Sequence, residues 1–281
     1  MGTDLYARKA NSIFLAAERR FPFISRPRQL IALSYLVMAL FKNWPEVLFS
    51  FLRNKSCEMR MRNSVIFQAA QKKTAVPVIA EIWMQKIYGD LGEFRRIPSP
   101  TVIDIGAHIG AFTLLALWSL PQARVFSFEP DPVNYEYLKR NIERNNFASR
   151  GTVVNKAVMK DRTPRVLYSP ATHSPSGTLF PPRGAQGDFS QTHVECLTLV
   201  DIFDAFKIDS CDLLKIDCQG GEYEILMNTP ETYFPQIKSI ILEYHLNIRN
   251  YSPDMLVAFL EKHGYEVVRN RPTRTLFAVR K

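Results

Sequence analysis

The stretch Ser99–Thr113 reads Ser-Pro-Thr-Val-Ile-Asp-Ile-Gly-Ala-His-Ile-Gly-Ala-Phe-Thr, and no other stretch restricts the fold as much. Thr101 to Ile105 is β-branched and apolar apart from Asp104, the pattern of a short strand buried on both faces of a parallel sheet. Gly106 permits a tight turn and a close approach of backbone to a ligand, because no Cβ intrudes. Gly110 stands where the turn enters a helix whose apolar body is Phe112, Leu114, Leu115, Leu117 and Trp118. Strand, glycine loop and helix N-terminus together open a nucleotide-binding α/β unit, although a plain βα turn without a ligand has the same shape.

A second unit follows. Arg124 to Phe128 reads as the next strand and ends in Glu129-Pro130, about twenty residues beyond the glycine loop. An acid at that strand end can accept both hydroxyls of a ribose lying across the two strands. Its other reading is a surface or helix-capping acid. Asp131 and Pro132 then start a helix to Asn145, as N-cap and first helical residue.

The rest of the chain continues the alternation. Strands are expected at Thr152–Lys156, Asp212–Ile216 and Lys238–Leu242, and helices at Leu199–Phe206, Glu222–Met227 and Asp254–His263. Between residues 160 and 196 the expected crossover helix is replaced by strand-like Arg165–Tyr168, a Ser/Pro/Gly-rich loop and His193–Cys196. An excursion of this length serves as a binding loop or stays a surface hairpin. Tyr265–Arg269 and Thr275–Val279 are too close in sequence for a parallel return, so they form an antiparallel hairpin. The expected fold is a doubly wound, mainly parallel seven-stranded α/β sheet with a C-terminal antiparallel hairpin, spanning 76–281. A helical N-terminal segment occupies residues 1–75.

Charge separates these two parts. Residues 1–75 hold 13 Lys/Arg against 4 Asp/Glu, whereas the remainder carries 23 of each sign. The neutral α/β part argues against a nucleic-acid groove. The basic segment contains an expected helix at Ala10–Arg20, an apolar run Leu30–Phe41 that is too short to span a bilayer, and a break at Lys42-Asn43-Trp44-Pro45. It suits helices packed on the domain or a homodimer contact, or else a peripheral in-plane membrane contact. A helix from Val76 to Tyr88 leads into the domain, with Pro77 in its first turn and Glu81 and Tyr88 on one face. Cys57, Cys196, Cys211 and Cys218 form no CxxC pair and no metal set, which suits reduced thiols in the cytoplasm.

The chain from about Glu81 onward resembles the FkbM-type family of S-adenosylmethionine-dependent methyltransferases. The likeness rests on Val102–Gly110, Phe128-Glu129-Pro130, Asn141-Ile142, Leu213–Glu222 and Leu242-Glu243-Tyr244-His245. It implies S-adenosyl-L-methionine as cofactor, a class I Rossmann-like fold, and oxygen methylation of a small-molecule, sugar, glycan or lipid-linked acceptor. It also implies cofactor contacts from Asp104, Gly106, Ala107, His108, Gly110, Glu129, Pro130, Asn155, Ala157, Asp217, Glu81 and Tyr88. Two positions depart from the family pattern: His108 replaces a more usual Asn, and Gln219 a frequent Glu. These departures keep open a cofactor-binding protein without catalysis. A nicotinamide oxidoreductase is disfavoured by the lack of G-x-G-x-x-G and by the terminal hairpin.

A hydroxyl acceptor must lose its proton, and three groups at carboxyl ends of central strands could take it: Asp217, Glu243 and His245. Of these His245 alone titrates near neutrality without help. Asp217 could equally hold the acceptor or cofactor, or cap the next helix. Lys215 interrupts the apolar run Leu213–Ile216 and is costly there unless paired. Its expected partner is Asp217, Glu243 or Glu222; otherwise it stands in water on an edge strand.

Overall fold

A computed structural model describes residues 27–53, 57–70, 72–170, 177–180, 189–246, 248 and 250–281. The expected helix at Ala10–Arg20 and parts of the insertion lie outside the described residues. Three helices come first: α1 (Pro27–Leu40), α2 (Trp44–Arg53) and α3 (Lys72–Trp83), with a two-stranded ribbon β1 (Met59–Arg60) and β2 (Ile66–Phe67) before α3. The α/β part then runs β3 (Thr101–Ile105), α4 (Ala111–Ser119), β4 (Arg124–Phe128), α5 (Pro132–Arg144) and β5 (Gly151–Val154). The insertion contributes β6 (Ala157–Val158), β7 (Arg165–Pro170), β8 (Phe189–Val194) and β9 (Cys196–Leu197). Last come α6 (Leu199–Phe206), β10 (Leu213–Ile216), α7 (Glu222–Met227), β11 (Ser239–Glu243), α8 (Pro253–Lys262), β12 (Tyr265–Asn270) and β13 (Thr275–Arg280).

Seven strands form one sheet in the order β12-β13-β11-β10-β3-β4-β5. β5, β4, β3, β10 and β11 run parallel, and β13 pairs antiparallel with both β11 and β12. The chain order reverses between β3 and β10, and ligands of open α/β sheets bind at the carboxyl ends beside such a switch. β3 is buried at every position, as a strand covered on both faces must be. One face packs on α4, α5 and the N-terminal helices through residues such as Leu114, Leu138, Val76 and Phe41. The opposite face packs on α6, α7 and α8 through Ile202, Tyr223 and Leu260.

The helix ends carry their sequence signals. Asp131 accepts from the N–H groups of Val133 and Asn134, with Pro132 in the first turn of α5. Thr198 and Asp201 close a reciprocal capping box on α6. Gly264 follows α8 at φ +84°, the left-handed position that ends helices.

Two expectations about the entry to the domain need correction. α3 begins at Lys72, so Pro77 lies inside the helix and not in its first turn, and the boundary at residue 75 cuts an element. Proline there removes one i→i−4 bond without ending the helix. Tyr88 lies beyond the end of α3, so it does not share a helical face with Glu81. The apolar run of α1 and α2 is packed in part: Val37, Leu40, Phe41, Val47 and Phe51 are buried in the cluster that includes Val76 and Ile79. Among the described residues no helix is long and apolar enough to cross a membrane.

Candidate active site

The glycine loop is held by backbone first. Gly106 and Ala107 both donate N–H bonds to the carbonyl of Phe128, at 3.0 Å each, which fixes the loop to the end of β4. Gly106 has φ +76°, and a Cβ there would lie 1.8 Å from the Asp217 carbonyl oxygen. The glycine is therefore demanded by the neighbouring β10 strand end, whatever ligand approaches it. Gly110 caps α4 at φ +89°, and a Cβ there would meet Leu138 of α5 at 2.7 Å. His108 also adopts a positive φ, +52°, a region that Asn and His enter more readily than most residues.

Beneath the loop lies a buried ion pair. Lys215 Nζ stands 2.9 Å from Asp104 Oδ1, with the two side chains 3% and 0% exposed. Lys215 also donates to the Gly106 carbonyl at 2.9 Å, and Thr113 donates its hydroxyl to Asp104 Oδ2 at 2.7 Å. Its ammonium lies over the rings of Tyr88 and Phe112. Burial pulls the Lys215 pKa down, but Asp104 and Asp217 more than restore it, so the group stays charged. This corrects the expected partner. The parallel register sets Lys215 directly opposite Asp104, so the acid of β3 reaches it and not Asp217, Glu243 or Glu222. Asp104 is accordingly sealed inside and supports the loop from below; it does not line the cleft.

The cleft itself opens above the carboxyl ends of β3, β4 and β10. Gly106, His108, Glu129, Pro130, Ala157 and Asp217 line it, together with Gln219. Glu129 Oε2 accepts from the His108 N–H at 2.8 Å, and Oε1 from the Asp131 N–H at 3.0 Å. Burial drives the Glu129 pKa up to about 7, against the pull of those two N–H groups. An ionised carboxylate has about four acceptor sites, so roughly two remain for hydroxyls of a ribose. Asn155 donates its amide to the carbonyls of Glu129 and Pro130 and so holds that strand end in place. Burial takes the His108 imidazole down to about 4, leaving it neutral at pH 7.

Asp217 closes the other side. Its N–H bonds to the Ile105 carbonyl, and its Oδ2 accepts the Tyr88 hydroxyl at 2.9 Å. Its Oδ1 is buried and has no protein partner. An orphaned buried carboxylate oxygen is costly unless a ligand donor meets it. Glu81 is not among the residues lining the cleft, but burial and the charge of Asp217 raise its carboxyl pKa.

The third candidate, His245, differs from its expected state. Its N–H and its Nδ1 both face Glu222 Oε1, at 2.7 and 3.2 Å, and Glu222 is fully buried. Burial alone would lower the imidazole pKa, but the hydrogen bond and charge of Glu222, then Asp217 and Glu243, carry it up to about 9. Those surroundings favour the charged imidazolium at neutral pH, the form that cannot accept a proton. Glu243 moves the opposite way: burial first, then the charge of Asp217, raise its pKa to about 7. Glu222, named from sequence only as a partner for Lys215, is the pivot here. It also accepts from the Gly220 N–H at 2.9 Å, so one carboxylate fixes both the β10 loop and the β11 end.

Asn141, quoted above only for the family likeness, and the insertion, read above as a binding loop or a surface hairpin, both belong to the surroundings of the site. Asn141 is fully buried and ties Ile109 of the glycine loop to Gln68 near the ribbon, through bonds of 2.8, 2.7 and 3.0 Å. A lone amide on the inner face of an otherwise amphipathic helix was the available signal. The insertion forms the antiparallel hairpin β7–β8, and Leu167, Gly177 and Leu179 from it line the cleft. It is thus a wall of the site and not a remote hairpin.

The residues fit S-adenosylmethionine by these observations: an acid with spare acceptor sites at the β4 end, a glycine loop, and an orphaned carboxylate oxygen opposite. The sequence profile described as the methyltransferase FkbM domain matches residues 104–267. The methyltransferase sdnD of Sordaria araneosa is 27% identical over 73% of this chain and 87% of its own. The 31-O-demethyl-FK506 methyltransferase FkbM of Streptomyces tacrolimicus is 26% identical over 75% of this chain and 89% of its own. Among solved structures, a METTL16 methyltransferase domain superimposes with a TM-score of 0.46 at 15% identity, covering 88% of this chain and 90% of that one. TrmK of M. capricolum, solved with S-adenosyl-homocysteine, gives 0.39 at 10% identity over 67% and 65%. With more than half of its length matched by that profile, and a cleft built at the switch point of its sheet, the chain belongs to the FkbM methyltransferase family and is an S-adenosylmethionine-dependent methyltransferase.

Proposed function

We propose that the enzyme methylates oxygen, on a hydroxyl of a small-molecule, sugar, glycan or lipid-linked acceptor, with Glu243 as the proton acceptor. The observation that carries this is a pair of carboxyl groups at neighbouring strand ends: Glu243 closes β11 beside Asp217, which follows β10 and lines the cleft. Glu243 is held near 7, and Asp217 presents a buried oxygen without a partner. A base works best when its pKa lies near the working pH. When bound, S-adenosylmethionine supplies a methyl group already activated on a sulfonium. The protein then has to align, exclude water and remove one proton. Glu129 holds the ribose end, Asp217 orients the acceptor hydroxyl or the cofactor's amino group, and Glu243 takes the proton. His245, charged and locked to Glu222, steadies Glu243 in its ionised form. Two relatives support oxygen as the acceptor atom: a 31-O-demethyl-FK506 methyltransferase, and the 2-O-methyltransferase NoeI of Sinorhizobium fredii.

The test uses S-adenosylmethionine labelled with ¹³C in its methyl group and fractionated small molecules and glycans as acceptors. The product methyl carbon is expected at a methoxyl shift. Label appearing only on nitrogen, sulfur or carbon rules the proposal out.

A further inference from the structure

A second cavity of about 290 Å³, which shares no lining residue with the cleft, opens between the N-terminal segment and the α/β part. Its walls include Trp83 and Trp118, and its charged lining is Arg62, Lys86 and Arg95 against a single carboxylate, Asp90. Arg62 is fixed by bonds to the carbonyls of Met38 and Ala39 at the end of α1. Arg95 is fixed by a bond to the Ser119 carbonyl at the end of α4. Lys86 pairs with Asp90 at 2.8 Å. Two guanidinium groups, each with N–H donors left over, are thus held in place at one mouth.

The surface around that mouth is apolar where a monomer's surface is usually polar. Tyr35 and Met38 on α1, Met84 after α3, and Trp118 on α4 are all exposed, Trp118 at 42%. α2 adds exposed Phe49 and Leu52, with the Arg53 guanidinium 4.4 Å over the Phe49 ring. Tryptophan beside arginine is the arrangement favoured at a membrane–water interface, where one end of the ring is apolar and the other wet. All the net positive charge of the protein lies in residues 1–75, while the α/β part is neutral. On this face Arg62, Lys86 and Arg95 complement an anionic surface, and they stand beside Trp83 and Trp118, apolar rings that a purely ionic partner would leave uncovered.

We propose that this face docks the enzyme on an anionic phospholipid bilayer, with a phosphodiester headgroup in the Arg62–Lys86–Arg95 cavity and Met38, Met84 and Trp118 at the acyl boundary. The cleft, whose lining has no residue in common with that cavity, is then left open to an acceptor.

The experiment is cosedimentation of the full chain with phosphatidylcholine vesicles, with and without phosphatidylserine, at low and high ionic strength. Met38→Glu and Met84→Glu are compared with Met255→Glu, which adds the same charge at an exposed methionine on the opposite face of the sheet. S-adenosylmethionine titration confirms that each variant is folded. Binding is expected only with phosphatidylserine and is expected to weaken as salt rises. Met38→Glu and Met84→Glu are each expected to lose about fivefold, the worth of one charge near such a surface. Met255→Glu is expected to bind as the parent does. Indifference to phosphatidylserine, or an equal loss in all three variants, overturns the proposal. So does a protein that ignores vesicles but self-associates through this face, becoming monomeric in Met38→Glu.

Discussion

Replacing Lys215 by methionine tests the support of the glycine loop. Methionine is similar in length and apolar, so the change removes the charge with little change of volume. What remains is Asp104, fully buried and holding only the Thr113 hydroxyl. Breaking one side of a buried ion pair costs about 3–5 kcal/mol, because the other charge is left uncompensated. The lost bond to the Gly106 carbonyl falls within that range. Against a total stability of about 5–15 kcal/mol, the loss is easily measured by urea unfolding followed by tryptophan fluorescence. The double variant Asp104→Asn, Lys215→Met removes both charges and is expected to recover about 1–3 kcal/mol relative to the sum of the two single changes. Affinity for S-adenosylmethionine is expected to fall in Lys215→Met and to return in part in the double variant. If Lys215→Met stays within about 1 kcal/mol of the parent, well below the cost of a broken buried pair, or if the single effects simply add, the pair does not carry the loop.

Glu129→Ala is expected to weaken S-adenosylmethionine binding by about 2–3 kcal/mol in isothermal titration, as for a lost bond between a charged acceptor and its donors; an unchanged Kd refutes the ribose assignment. Gly106→Ala is expected to lower the thermal midpoint as well as binding, since its Cβ meets the Asp217 backbone 1.8 Å away and not a ligand; a stable variant that only loses binding contradicts this. The His245–Glu222 pair predicts a pH dependence of stability. The folded pKa of about 9 lies above the unfolded value of 6.5. The contribution is therefore full below about pH 6.5 and is lost as pH rises through about 9. The stability gap between the parent and His245→Gln is expected to shrink over that window, and a gap that grows with pH reverses the assigned sign.

How much of this was legible in the sequence depends on which forces set each feature. β3 and β4 begin and end where the largely apolar runs do, at Thr101–Ile105 and Arg124–Phe128, because strands buried on both faces are mostly apolar and admit a polar residue such as Asp104 only when it is paired. α5 and α6 start at side chains whose capping is local, Asp131 and Thr198. Apart from the start of α3, which is a local miss, the features that sequence alone left open depend on non-local contacts. Lys215 finds Asp104 only through the register of two strands more than 100 residues apart. His245 looks like a neutral base until Glu222, from the start of α7, is placed beside its ring. Gly106 has a sequence signal for a close approach, but the approaching atom is the protein's own carbonyl. Tyr88 reaches Asp217 from a loop, where helical spacing says nothing about direction.

The measurement that bears most directly on the division of labour between Glu243 and His245 is the pH dependence of kcat, with the acceptor identified by ¹³C labelling. If Glu243 takes the proton and His245 acts as a fixed cation, kcat rises through about pH 7 and falls through about 9, the values set by their surroundings. Glu243→Gln then abolishes the rising limb and most of the rate, whereas His245→Gln removes the falling limb and keeps the rising one. A rate that instead rises with the ionisation of an imidazole, and that loses its rising limb in His245→Gln while Glu243→Gln turns over normally, contradicts the account.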